Sequence, residues 1–367
     1  MTLRRRLATL LAACALMAGC MEKEPIRIGF IGDLTGPSAD LGEAGRNGVM
    51  LAVDQYNRSG GVNGHQIELL ARDTGNTPEK AIKAASELRD AKVLAVIGPM
   101  TSTAADILVP FHNAAQLVLL SPTVTASKFA GIDDYFFRLN WTTREDAAIA
   151  ASYCLKHGLK RLAAAINTDN HTFTESWMGE FRHAFENGGG QILGVQTFHS
   201  ADESLLQVVQ QLLAPRPDGL VFVANAGDSA RLAQQTRKLN TSIPLLATEW
   251  AGTQQLIELG GATVEGMAIL MQFDVEDRSP RYTDFQQRYM KRFGRLPGAP
   301  SILAHDAGTV LFETLSRRQG GASLKTALIE LGPFEGLQGA VQFDRYGDTR
   351  RNPSMTVIRN GRLINKP

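Results

Sequence analysis

Residues 93–104 read VLAVIGPMTSTA: a short continuous apolar run, a glycine–proline break, and a hydroxyl-rich stretch opening toward a helix. An apolar run of this length between turn signals is the pattern of a strand buried on both faces, as in a parallel sheet covered by helices. The unit recurs on either side. Upstream, IRIGFIG (26–32) and QIELLA (66–71) read as strands. Between them, residues 43–58 place Val49, Ala52, Val53 and Tyr56 on one helical face before Ser59-Gly60-Gly61 ends the helix. Residues 78–91 repeat that face with Ala81, Ala84, Ala85 and Leu88, and Pro78 suits the first turn. Downstream, QLVLLSP (116–122) is another buried strand.

The pattern then restarts. RLAAAI (161–166), a helix near 174–187, and QILGVQTF (191–198) come first. A helix at 203–213 follows, with Leu205, Val208, Val209 and Leu212 on one face, then GLVFVA (219–224) and strands at 243–247 and 266–271. Two series of alternating strands and helices predict an α/β chain of two doubly wound, parallel-sheet lobes. No low-complexity linker separates the series, so short hinges are expected between them. In the tail, GLQGAVQFDRYGD (336–348) reads as a strand and turn.

The N-terminus reads differently. Arg4, Arg5 and Arg6 precede an apolar run at 7–18, too short to span a bilayer, where about 20 apolar residues are needed. It ends in Leu16-Met17-Ala18-Gly19-Cys20, which resembles a bacterial lipobox. Residues 1–19 are therefore expected to be a lipoprotein signal peptide, Cys20 the lipidated residue, and 20–25 a tether. A plain secretory signal cut nearby is the alternative. Loss of 1–19 removes three arginines and no acid, turning 38 basic against 37 acidic residues slightly acidic. So balanced a chain has no electrostatic footprint for nucleic acid. With Cys14 in the signal and Cys20 at the anchor, Cys154 stands alone, and an internal disulfide is excluded. It lies in a helix-like apolar run and reads as a buried structural thiol.

Catalytic signatures are missing. There is no G-x-S-x-G elbow, Walker A loop, H-E-x-x-H or C-x-x-C, and the seven histidines show no metal-like clustering. Neither a metal nor a cofactor is expected. His305 and Asp306 are neighbours, read as surface or hinge packing.

What the sequence does contain is binding chemistry. In an open α/β sheet, ligands gather at the carboxyl ends of the strands, and a helix N-terminus presents free N–H groups to an anion. Ser102 and Thr103 follow the strand at 93–97 and could hold a carboxylate; ordinary helix capping would use the same residues. The next strand ends in the hydroxyl-rich turn Ser121-Pro122-Thr123-Val124-Thr125. In the other half, the strand at 243–247 ends in Thr248-Glu249-Trp250, where a carboxylate can pair with an ammonium. A zwitterion fits across the gap.

These segments together resemble the leucine/isoleucine/valine-binding family of type I periplasmic binding proteins, over nearly the whole mature chain. The resemblance is carried by residues 31–64, VIGPMTST (96–103), LLSPTVTAS (119–127), LLATEWAGT (245–253) and GLQGAVQFDRYGD (336–348). It implies that Ser102 holds the ligand α-carboxylate and that Thr125 bridges carboxylate and ammonium. Thr123 would offer a backbone carbonyl, and Glu249 would pair with the ammonium. In the side-chain pocket, Leu41 stands where an aromatic is usual and Phe173 where a tyrosine is frequent. Ala224-Asn225-Ala226 replaces a bulkier segment, so a larger or differently shaped apolar side chain is expected, with one polar contact from Asn225. Phe173 could equally serve a helix core. The lobes implied are 26–140 plus 272–345, and 141–271 plus 346–367. The expected function is that of an exported, membrane-anchored solute-binding protein, not an enzyme, delivering a neutral amino acid to an ABC permease. A ligand-sensing protein for an amide or small carboxylate is the alternative.

Overall fold

The computed structural model describes residues 23–75, 77–202 and 204–366. The signal peptide, Cys20 and the start of the tether lie outside the described residues.

The first five strands are β1 (Ile26–Gly32), β2 (Ile67–Asp73), β3 (Val96–Ile97), β4 (Leu119–Ser121) and β5 (Phe136–Arg138). They form one sheet in the order β2-β1-β3-β4-β5, parallel throughout. β3 is only two residues long, but its pairing reaches further. Leu94 N–H donates to Arg27 O and Gly98 N–H to Leu120 O, both at 2.9 Å. Gly98 closes the strand at φ +125°, and a Cβ there would sit 2.0 Å from Ile31 O, so only glycine allows the chain to turn this close to β1.

The second sheet begins with β6 (Arg161–Asn167), β7 (Gln191–Phe198), β8 (Gly219–Val223), β9 (Leu245–Ala247) and β10 (Ala268–Met271). A hairpin of β11 (Phe334–Gly336) and β12 (Gly339–Val341) stands apart. Then β13 (Ser354–Arg359) and β14 (Arg362–Asn365) return to the second sheet, giving the order β14-β13-β10-β9-β8-β6-β7. β13 and β14 are antiparallel, so this sheet is mixed rather than purely parallel. β13 and β14 form a hairpin across Asn360-Gly361, but the pairing of β13 with β10 joins residues far apart in sequence, which local pattern does not reveal.

Helix Ala39–Arg58 starts four residues earlier than its apolar face suggests and packs on helix Ala299–Arg317. The contact is close: a Cβ on Gly48 would lie 2.2 Å from Ser301 O. Most of Ala299–Arg317 is buried around its whole circumference, between its partner helix and β3 and β4. A helix buried on all sides shows no amphipathic stripe, and the sequence pattern gave no sign of it.

The chain crosses between lobes three times, at 139–142, 272–279 and 349–353. After the first crossing, helix Thr143–Lys156 packs on helix His171–Asn187 in the second lobe. After the second, helix Pro280–Phe293 returns to Ala39–Arg58, where Arg288 Nη1 donates to Gln55 at 3.0 Å. Residues 346–348, expected with the second lobe, are bonded to the first. Gly347 O accepts from Arg138 N–H at 2.9 Å, and Asp348 takes the Arg138 guanidinium at 2.6 and 2.8 Å. Arg138 is fully buried and requires a carboxylate partner, which holds this segment at the edge of β5.

The crossings are bonded to one another. Asn140 Nδ2 donates to Gln272 Oε1, joining the first to the second. Arg351 Nε donates to Leu139 O at 3.0 Å, joining the third to the first. Its Nη2 meets Asp306 at 2.8 Å. The His305–Asp306 pair is therefore buried beside the crossings, not on the surface. Burial pushes the imidazole of His305 down to about 3, and its ring lies edge-on to Phe285. Cys154 is buried, as expected, and burial pushes its thiol up to about 12. No helix among the described residues is long and apolar enough to cross a membrane.

Candidate ligand site

The carboxyl ends of the two sheets face each other across a cavity of about 420 Å3, counting its mouth. The first lobe lines it with Leu41, Met100, Ser102, Thr123 and Thr125, together with Ala299, Pro300 and Leu303. The second lobe contributes Asn170, Phe173, Glu249 and Trp250, and the crossings contribute Asn140 and Gln272.

Ser102 is the first residue of helix Ser102–Ala115, but it is not the cap. Thr101 caps, its Oγ1 accepting from Ala104 N–H at 3.4 Å and donating to Asp33 at 3.0 Å. Capping by the preceding threonine leaves the Ser102 hydroxyl at the cavity wall, where it accepts a long bond from Ala126 N–H at 3.4 Å. Thr123 Oγ1 donates to Met100 O at 2.6 Å, and Thr125 O accepts from Thr143 N–H at 2.7 Å. These bonds fix the turn after β4. The helix start at Ser102 and the Ser102 and Thr125 hydroxyls give the first lobe an anion-compatible end.

Glu249 opens the short 3-10 turn Glu249–Ala251 directly after β9. Both its carboxylate oxygens are buried, with no hydrogen-bond partner among the described residues. Burial, and then the nearby carboxyl of Asp146, hold its pKa well above the ordinary carboxylate range. A buried carboxylate without a partner costs several kcal/mol. Here it borders the cavity that a ligand would enter.

Phe173 meets Trp250 edge-on at 5.7 Å. With Leu41, Met100 and Leu303, these rings make the apolar wall. Phe173 is both core and cavity lining.

Three sequence-selected residues do not line the cavity. Thr103 instead bridges the lobes: its N–H donates to Asn170 Oδ1 at 3.1 Å, and its Oγ1 accepts from Thr172 N–H at 3.2 Å. Asn225 caps helix Ala226–Leu239, accepting from Asp228 N–H at 2.8 Å and donating to the Asp228 carboxylate at 2.9 Å. Ala226 is buried in the second lobe's core. The turn after β8 thus serves its own helix, and the polar contact expected of Asn225 is supplied at the cavity by Asn140, Asn170 and Gln272. Gln272 and Trp250 follow strand ends, so the rule that found Glu249 reaches them too. Ala299, Pro300 and Leu303 have no such signal, because their helix carries no pattern.

Further contacts close the lobes beside the cavity. Thr172 Oγ1 donates to Asp106, and Ser127 N–H donates to Ser176 Oγ at 3.2 Å. No group of three or more metal-ligating side chains occurs among the described residues.

Known proteins share this architecture. The leucine-, isoleucine-, valine-, threonine- and alanine-binding protein of Pseudomonas aeruginosa is 22% identical over 354 residues, covering 94% of each chain. A leucine-binding protein from Thermotoga maritima superposes with a TM-score of 0.85 at 23% identity, over 93% of this chain and 98% of that one. A solute-binding protein from R. palustris in complex with benzoate also gives 0.85, at 18% identity over 93% of this chain and 95% of its own. The family profile described as periplasmic binding protein matches residues 25–359, across both sheets and all three crossings. The chain belongs to the periplasmic binding protein family.

Proposed function

We propose that this chain is the extracytoplasmic solute-binding protein of an ABC importer, capturing a neutral α-amino acid with an apolar or aromatic side chain. The observation that carries this reading is Glu249, a buried carboxylate without a partner among the described residues, set across the cavity from the helix start at Ser102. The ligand carboxylate would lie at the hydroxyl and backbone N–H of Ser102, and Thr125 would bridge to the ammonium. Glu249 would take the ammonium, and Leu41, Met100, Phe173 and Trp250 the side chain. Closure excludes water, and an ion pair strengthens as the local dielectric falls. A ligand touching both lobes binds the closed form better and so selects it. The family is one of binding proteins, not enzymes.

A second reading is a small carboxylate or amide in a sensing role, and the benzoate-bound structural relative favours it. With Glu249 protonated, the same cavity would accept a ligand that lacks an ammonium. A thermal-shift screen separates the two. A ligand at 100 times its Kd adds about 2.7 kcal/mol of stability. Leucine, isoleucine, valine, methionine and phenylalanine are expected among the hits. Stabilisation by benzoate or amides alone would overturn the amino-acid reading.

We also propose that the mature chain begins at an acylated Cys20, which tethers it to a membrane beside its permease. Mass spectrometry of protein from the native membrane fraction should find a lipid-modified Cys20. An unmodified N-terminus elsewhere would refute the anchor.

A further inference from the structure

Three side-chain amides line the cavity, and none belongs to the zwitterion clamp: Asn140 and Gln272 on the crossings, and Asn170 in the second lobe. Backbone N–H groups decide which way they face, because such a donor can meet only the oxygen of an amide. Trp141 N–H donates to Asn140 Oδ1 at 2.9 Å, so the Asn140 nitrogen points the other way. That nitrogen donates to Gln272, which makes Oε1 the acceptor there and leaves Gln272 Nε2 to donate to Asp146 Oδ2 at 2.7 Å. In the second lobe, Thr103 N–H donates to Asn170 Oδ1 at 3.1 Å.

Each amide oxygen is thus turned to a protein donor, and what each amide has left over is N–H. An amide nitrogen carries two hydrogens. Asn140 and Gln272 each commit one of theirs, and Asn170 Nδ2 donates to nothing among the described residues. The indole N–H of Trp250, another lining residue, is buried without a partner among the described residues. Ser102 and Thr125 can meet a ligand carboxylate and Glu249 its ammonium, and these N–H groups still lack an acceptor. A buried donor left without one costs free energy. The cavity lining holds no Lys, Arg or His, so a second carboxylate would enter without a counter-charge. A neutral oxygen acceptor matches what remains.

We propose that Asn140 and Gln272 form a donor subsite of the cavity, selecting a neutral α-amino acid whose otherwise apolar side chain carries a carbonyl oxygen. The proposal rests on the amino-acid reading given above and narrows its side chain. The two amides lie on different crossings, bonded to each other and to Asp146 on helix Thr143–Lys156, so their donors hold a fixed direction. The carbonyl oxygen would take the second N–H of each amide, with the rest of the side chain against the apolar wall.

L-Leucine and L-2-amino-4-oxopentanoate test this, because they have nearly the same shape and differ by a ketone oxygen in place of one methyl. Isothermal titration of the pair reads the acceptor alone. The ketone should bind wild type roughly tenfold tighter, as one to two neutral hydrogen bonds give. In the double variant Asn140→Leu/Gln272→Met, which keeps side-chain bulk and removes the donors, that preference should vanish. Poorer packing or looser crossings would weaken both ligands together and leave their ratio unchanged, so the ratio separates a subsite from a structural role. Asn140→Leu alone leaves Gln272 bonded to Asp146. It should lower the preference as well, and it serves if the double variant does not fold. Equal affinities in wild type, or a ratio that survives in the variants, would overturn the proposal.

An ammonium-free pair, 4-oxopentanoate and 4-methylpentanoate, keeps the test independent of the amino-acid reading. If neither amino acid binds and the oxo acid binds more tightly than the methyl acid, the amino-acid reading fails and the donor subsite stands. If none of the four binds, or the methyl compound is preferred within the pair that does, the donor subsite falls.

Discussion

Glu249→Ala will weaken amino-acid binding by about 2–5 kcal/mol, or roughly 30- to several-thousandfold, in isothermal titration. The loss arises because the ligand's ammonium would enter a closed cleft with no carboxylate to meet it. Asp146 does not replace it, since it stands behind Gln272 rather than on the cavity wall. The unliganded variant should melt no lower than wild type. The substitution deletes a buried carboxyl whose two oxygens lack protein partners, and that carboxyl destabilises the empty site. A gain in stability with a loss of affinity is the signature of a functional group held against the fold's own preference. Unchanged affinity would remove Glu249 from the site.

Asp306→Ala will cost about 3–5 kcal/mol of stability in chemical denaturation, the usual consequence of breaking a buried ion pair from one side. Asp306 is 1% exposed, and its Oδ2 lies 2.8 Å from Arg351 Nη2. Its Oδ1 accepts from Leu337 N–H at 2.8 Å, so alanine strands a charge and an amide together. Burial pushes the Asp306 carboxyl up, and the Arg351 guanidinium opposes the rise. Arg351 would keep only its bond to Leu139 O, which joins the third crossing to the first. The variant should therefore also open more readily, seen as a larger radius of gyration in solution scattering without ligand. Asp306→Asn retains an acceptor for Leu337 and should lose less. A full-stability alanine variant would show that the pair does not hold the crossings.

The parallel strands were legible because each is a run of apolar residues ended by glycine, proline or a polar turn. VLAVIG, GLVFVA and the tail of QLVLLSP all became strands at or near their expected places. Helix Ala299–Arg317 was not legible, being buried on nearly every face, so that it shows no single apolar stripe. Nor was the docking of the β13–β14 hairpin on β10, which joins the second sheet from the far end of the chain. The strand-end rule located Ser102, Thr123, Thr125 and Glu249 beside one cavity, because parallel sheets present their carboxyl ends to the same side. It misplaced Asn225, also after a strand, because that turn bends onto its own helix to satisfy the buried Asp228.

Residue order alone therefore determined the α/β alternation, the two lobes and the strand ends that carry hydroxyls and an acid. All of these follow from local periodicity and from chemistry within a few residues. Tertiary structure alone decided which strand ends share a cavity and that Thr101 rather than Ser102 caps its helix. It also decided that Asp146 stands buried behind Gln272. A buried charge becomes costly only when distant segments close over it, and no neighbour in sequence reports that closure.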